Sequence, residues 1–225
     1  MFDGKITWIL NEFSQERNEM KIGRFLGVPV FLNWSFLLFL VLISYFSAES
    51  MPLILGAFLI VLLHEFGHVI AGIYFGLNVI SVTLYPFGGI ASMIVPKKPK
   101  QEMVIALAGP MVNVLLIPII HFIIPYFDVS QILFKLNLMM LVFNLIPALP
   151  LDGGRVLRST LCLFSDDYVS STMTSCYVAK VISWTMIAAG FFFKRIDLFW
   201  VAYFVFVESD REINAIFEKK SKKLF

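Results

Sequence analysis

Charge is scarce in this chain. Only 15% of its 225 residues are charged, against about 25% in an ordinary soluble domain, so it lacks the polar surface that a water-borne globule of this size carries. Cysteine is nearly absent, with Cys162 and Cys176 alone. Their spacing excludes a zinc knuckle or a disulfide framework and leaves two free thiols, buried or interfacial. The first twenty residues lack the apolar core and small-residue cleavage site of a secretory signal. No internal repeat or low-complexity tract is read beyond a lysine-rich tail, and no appended soluble domain is expected. The basic residues form no patch suited to nucleic acid, which excludes that class of partner.

What is abundant is apolar. Hydrophobic residues make up 59% of the chain and mean hydropathy is +0.83, which marks an integral membrane protein. Apolar runs near the roughly 20-residue spanning length lie at about Val30–Phe46, Met51–Phe75, Met103–Ile124 and Gln131–Leu149. Two further runs, about Tyr177–Phe193 and Ile196–Val207, bring the expected count to about six crossings. With a cytoplasmic amino terminus, Lys97, Lys98, Lys100, Arg155, Arg158 and the tail lysines fall inside, and the outer loops keep only Lys194 and Arg195. That distribution follows the positive-inside bias. Both termini are expected to be cytoplasmic and the protein to be multi-pass in the cell membrane. Phe2, Ile6, Ile9, Leu10 and Phe13 recur at helical spacing, as in an amphipathic helix lying on the bilayer. Residues 1–28 are read as this segment, 29–208 as the membrane domain and 209–225 as a basic tail.

Polar groups within the apolar runs are the informative exceptions, because ionisable side chains at membrane depth are costly and mark function. The second run contains His64-Glu65-Phe66-Gly67-His68. On a helix the two histidines are separated by roughly 400° of rotation and about 6 Å of rise, so their rings converge. Glu65 is turned about 100° away. This is the zinc-protease pattern, two imidazoles on one face with a carboxylate beside them. After Phe75 the pattern changes to Val79–Tyr85, rich in β-branched residues, a turn signal at Pro86–Gly89 and a returning strand at Ile90–Val95. A small membrane-associated β-hairpin is expected here, shielded by protein or lying at the interface. The fold class is therefore an all-α polytopic membrane protein with this one hairpin after its second span.

A catalytic zinc site needs a third protein ligand and an open position. Tyr74 stands where a metzincin would carry histidine, His121 falls toward the opposite membrane face, and Glu102 opens a helix where an acid is favourable in any case. Asp152 remains. It follows Asn144-Leu-Ile-Pro147-Ala-Leu-Pro150, a stretch that cannot continue as regular helix. Gly153 and Gly154 would let the chain turn the carboxylate inward, and the broken segment must double back to reach the histidines. Asn144 is a candidate donor to an oxyanion or to a substrate backbone. Asn113 and Ala108-Gly109-Pro110 are read as helix packing, and His121 as an interfacial residue without a catalytic task.

These residues together resemble the site-2 protease family of intramembrane zinc metalloproteases. The resemblance rests on His64-Glu65-x-x-His68, Phe87-Gly88-Gly89, Ala108-Gly109-Pro110 and Asn144-x-x-Pro147-x-x-Pro150-Leu151-Asp152-Gly153-Gly154-Arg155. It implies one Zn2+ per chain held by His64, His68 and Asp152, with Glu65 as general base for a metal-activated water. It also implies that Phe87, Gly88 and Gly89, with Asn144, hold an unwound substrate segment, the substrates being membrane-spanning or membrane-associated proteins. No PDZ or CBS domain is expected, so the chain is similar to the minimal members, including the sporulation sigma-factor processing branch. Partners are thus a membrane protein substrate and the lipid bilayer. Two alternatives stand beside this reading. A divalent metal transporter would spread ionisable residues over several helices, and an inactive membrane-segment binder would be expected to have lost Glu65.

Overall fold

The structure is a computed structural model that describes residues 19–86, 88–93, 98–122 and 130–221, with side chains as far as Phe217. The anticipated amphipathic helix over Phe2–Phe13, Phe87, Lys97 and the lysines at 222–223 lie outside the described residues.

Strands β1 (Glu19–Phe25) and β2 (Val28–Asn33) form an antiparallel hairpin, turned by Leu26 and Gly27 at positive φ. β2 passes directly into helix α1 (Trp34–Phe46), where the Asn33 side chain accepts the Ser35 amide at 2.9 Å and caps the first turn. A 3-10 turn at Ala48–Ser50 leads into α2 (Met51–Tyr74), whose Pro52 sits in the first turn, where an amide hydrogen has no intrahelical partner. Strands β3 (Val79–Tyr85) and β4 (Gly88–Met93) follow, then α3 (Pro99–Phe122), α4 (Ser130–Asn144), α5 (Asp152–Ser165), α6 (Tyr168–Phe193) and α7 (Ile196–Ser221).

The anticipated hairpin is present as β3 and β4, but it belongs to a four-stranded sheet of order β1-β2-β3-β4. β2 and β3 pair in parallel, with Val30 opposite Val82 and Leu32 opposite Leu84. Parallel neighbours need a long crossover, and here the helix pair α1–α2 supplies it. Val28, Val30 and Val82 pack on Phe66 and Val69 of α2, fixing the sheet to the helix that carries the histidines. β4 is an edge strand lying alongside α2.

Several of the expected boundaries move, among them the start of the sixth helix, which begins at Tyr168 where about Tyr177 was expected. The run beginning at Val30 is strand before it is helix, because Asn33 caps α1 and stops the apolar run from being helical throughout. The run expected to reach Leu149 leaves helix after Asn144, ahead of Pro147 and Pro150. Helix resumes at Asp152, so Gly153 and Gly154 lie in its first turn. A Cβ on Gly153 would come within 2.4 Å of the Leu145 and Ile146 carbonyl oxygens, and one on Gly154 within 2.2 Å of the Leu149 amide nitrogen. These glycines serve close approach of the preceding loop, where a turn was expected. The segment limits at 28/29 and 208/209 fall at the start of β2 and inside α7.

Among the described residues, three helical stretches are long and apolar enough to cross a bilayer: Ala48–Tyr74, Pro99–Phe122 and Tyr168–Phe193. α1 and α4 are apolar but have 13 and 15 residues, roughly 20 Å of rise against a hydrocarbon core of about 30 Å. The protein is an integral membrane protein. Leu38, Val41, Leu55, Leu59, Val181 and Trp184 are exposed on these helices, as suits side chains that face lipid.

Candidate metal centre

His64 and His68 project from one face of α2 and are buried at 2% and 4% exposure. Gly67 lies between them, and a Cβ there would meet the Ala108 carbonyl oxygen at 2.6 Å, so the glycine lets α2 and α3 come close together. Gly109 faces the histidines from α3. A Cβ on it would fall 2.3 Å from His68 Nε2 and 2.7 Å from His64 Nε2. The Ala108-Gly109-Pro110 segment, expected to be packing alone, therefore also clears the space in which the two imidazoles meet.

The loop from Leu145 to Leu151 brings Asp152 back to this point, the return that the sequence required. Its Oδ2 lies 3.2 Å from His64 Nε2 and 3.2 Å from His68 Nε2, and the two Nε2 atoms are 3.2 Å apart. The Asp152 Oδ1 atom faces Arg155 Nη1 at 3.3 Å.

Proton bookkeeping decides what this triangle is for. His68 Nδ1 lies 2.7 Å from the Ile105 carbonyl oxygen, which can only accept. His64 Nδ1 lies 2.5 Å from Asn113 Oδ1, also an acceptor. Both Nδ1 atoms thus carry a hydrogen, and in the neutral form each ring turns a lone pair on Nε2 toward Asp152 Oδ2. That oxygen is buried without a hydrogen-bond donor. With both rings neutral, three acceptor atoms meet with no donor between them, an arrangement that a bound cation satisfies. The 3.2 Å edges match one face of a tetrahedron with metal–ligand bonds of roughly 2.0–2.1 Å, whose edge is about 3.3 Å. Among the described residues this is the one cluster of three metal-capable side chains.

Glu65 stands beside the triangle, and its Oε2 accepts the Ala91 amide of β4 at 2.9 Å. Gly89 makes this approach feasible, since a Cβ there would lie 2.7 Å from Glu65 Cγ. Gly88, at φ 145°, adopts backbone that other residues rarely take. Asn144 lines the same cavity, with its Nδ2 donating to the Met140 carbonyl at 3.1 Å. The cavity, of about 690 Å³, is also lined by Arg155, Phe204, Glu208 and Arg211. His121 lies elsewhere, edge-on to Phe122. Glu102, the discarded ligand candidate, is buried against Arg158, whose guanidinium sits over the Tyr168 ring. Burial opposes the Arg158 charge, but Glu102 and Tyr168 raise its pKa above the ordinary value.

Sequence reasoning missed Asn113 and Asn137, both completely buried. A usable signal was present. Asn113 stands one helical turn after Gly109 inside an apolar run, and polar side chains in such runs need partners.

Such a donor set on apolar helices defines the class, a membrane-embedded metalloprotein of the HExxH kind. Residues 52–129 match the model of Peptidase family M50. The chain is 32% identical over 210 residues to zinc metalloprotease MJ0392 of Methanocaldococcus jannaschii, covering 88% of this chain and 61% of that one. It is 34% identical over 113 residues to stage IV sporulation protein FB of Bacillus subtilis, covering 48% of this chain and 39% of that protein. The chain thus spans about three-fifths or less of the length of these curated relatives. Among solved structures, the site-2 protease from Methanocaldococcus jannaschii superposes with a TM-score of 0.66 at 31% identity, covering 87% of this chain and 95% of that one. The chain belongs to the site-2 protease family, whose cofactor is zinc, and the His64, His68 and Asp152 donor set suits that ion.

Proposed function

We propose that this chain is an intramembrane zinc endopeptidase that hydrolyses peptide bonds of membrane-spanning or membrane-associated proteins. The observation that carries the reading is the buried triangle of His64, His68 and Asp152 donor atoms with the Glu65 carboxylate beside it. His64, His68 and Asp152 hold the metal. A zinc ion there supplies Lewis acidity and makes water a usable nucleophile near neutral pH. Glu65 accepts the proton of the attacking water and returns it to the leaving amine, so one carboxylate serves as base and then as acid.

The substrate must be unwound before it is cut, because a helical peptide bond is enclosed by its own backbone. The free edge of β4 offers amides and carbonyls in register for an added strand, and Gly88 and Gly89 keep that edge open beside Glu65. Asn144 faces the same space and orients the substrate backbone or the developing oxyanion. The domain spans residues 29–208 in a multi-pass arrangement of about six crossings, with α1, α4 and α7 completing the spans and both termini cytoplasmic.

The test is a paired measurement on purified protein. Glu65→Gln is expected to retain about one zinc per chain and to lose cleavage of a membrane-embedded substrate. Equal cleavage by variant and native protein would remove Glu65 from the mechanism, and a native protein devoid of zinc would remove the function.

A further inference from the structure

His64 depends on an asparagine for its hydrogen-bond partner, and asparagine is ambiguous. Rotation of the amide by half a turn presents NH2 in place of oxygen. An Asn113 flipped in this way would direct a donor at His64 Nδ1, move the ring hydrogen to Nε2 and remove the lone pair that faces Asp152. His68 carries no such risk, because its partner is the Ile105 backbone carbonyl, which cannot rotate.

The structure contains the device that prevents the flip. Asn137 of α4 donates its Nδ2 hydrogen to the Asn113 backbone carbonyl at 2.9 Å. A backbone carbonyl only accepts, so the nitrogen end of Asn137 is fixed there without appeal to any assigned side chain. Its Oδ1 end must then meet Asn113 Nδ2, at 2.8 Å. With its nitrogen engaged, Asn113 can offer only oxygen to His64, at 2.5 Å. Polarity passes from a fixed carbonyl through two side chains to an imidazole. Asn113 and Asn137 have no exposed surface and do not line the cavity, so water cannot substitute for either partner.

We infer that Asn137 is a positioning residue for the metal centre: through Asn113 it sets the tautomer and ring orientation of His64. The inference rests on the proposed zinc site and extends it to a residue on a different helix with no contact to the metal ligands. Outer partners of metal-bound histidines typically alter affinity by about 10–100-fold, and that is the size of effect expected here.

The experiment measures zinc affinity by chelator competition on the full chain in detergent. Asn137→Leu is expected to weaken zinc binding about 10–100-fold. The double variant Asn113→Asp with Asn137→Leu is expected to recover to within about threefold of the native value, because a carboxylate has two accepting oxygens and needs no orienting partner. Loss without recovery, or no loss at all, overturns the inference, since a packing role would not be repaired by changing residue 113. Asn137→Asp, which in its neutral form donates and accepts as asparagine does, is expected to stay near native. A loss as deep as that of leucine counts against the relay. If Asn137→Leu is not monodisperse, Asn137→Ala takes its place. With only three histidines in the chain, 15N-histidine NMR of the zinc-loaded protein gives an independent signature. Asn137→Leu should shift the His64 Nδ1–H resonance and leave that of His68 in place, and an unmoved His64 signal overturns the assignment. A native protein that binds no zinc overturns the proposed function together with this inference. Normal native binding with an indifferent Asn137→Leu variant overturns the inference alone.

Discussion

The Ala91 amide donates to Glu65 at 2.9 Å, so the carboxylate proposed as the base occupies the hydrogen-bonding edge proposed for substrate. A strand added to β4 needs that amide. Substrate docking and release of Glu65 toward the attacking water are then the same event, and an empty enzyme keeps its base engaged.

Ala91→Pro tests this coupling. The Ala91 N–H points to Glu65, away from the β3 ladder, so proline removes no sheet hydrogen bond and is tolerated on an edge strand. Zinc content is expected to be unchanged, while KM for a membrane-embedded substrate rises by about tenfold for the one lost backbone contact of about 1.4 kcal/mol. Cleavage kinetics on reconstituted protein check it, and an unchanged KM counts against strand addition at β4.

Gly109→Ala should separate helix stability from metal binding. In an exposed helix interior this change stabilises by about 0.5–1 kcal/mol. Here the new methyl would sit 2.3 Å from His68 Nε2, so the rings must move. Zinc affinity is expected to fall at least about tenfold, the lower end of the effect of disturbing ligand orientation, without loss of helix content by circular dichroism. Gly56→Ala, whose nearest neighbours are atoms of the movable Leu133 side chain, is the matched control and should bind zinc normally.

Removing the metal should destabilise the fold. Without a cation the two Nε2 lone pairs of neutral rings and the Asp152 carboxylate repel one another across 3.2 Å. Zinc at about a thousand times its dissociation constant contributes roughly 4 kcal/mol. Chelation is expected to lower Tm, and added zinc to restore it. A Tm indifferent to chelator would show that the triangle holds no ion.

The Glu102–Arg158 pair, which lines the same cavity without touching the three donor residues, offers a test of stability. Both side chains are buried, at 1% and 7% exposure. Breaking such a pair from one side costs about 3–5 kcal/mol because the remaining charge is stranded, whereas replacing both with apolar residues is often close to neutral. Arg158→Met alone should sharply lower stability to denaturant in detergent. Arg158→Met with Glu102→Leu should recover most of the loss.

The three side chains of the candidate metal site were legible because metal chemistry restricts both residue type and spacing: His64 and His68 fall one turn apart, and Asp152 was the acid left after elimination. The sheet was only half legible. β3 and β4 announce themselves by β-branched residues and glycines, but β2 merges into α1 as one apolar run, and only the Asn33-Trp34-Ser35 cap marks the join. Strand pairing between β2 and β3 is a long-range choice that no local pattern encodes. α5 was hidden because Gly153 and Gly154 read as a turn, when their smallness serves contact with the loop behind them. Asn137 left no trace, since a lone asparagine in an apolar helix does not reveal which donor it serves.

The distance in sequence between the histidine pair and Asp152 has a consequence for biosynthesis. At ribosomal speeds of about 5–20 residues per second, the third ligand emerges on the order of ten seconds after the first two. During that interval the nascent chain has two imidazoles and a glutamate in the bilayer but no complete grip on a metal. Under the proposed function, hydrolytic competence would arrive only once α5 has been made, so a chain terminated before Asp152 would be expected to cut nothing.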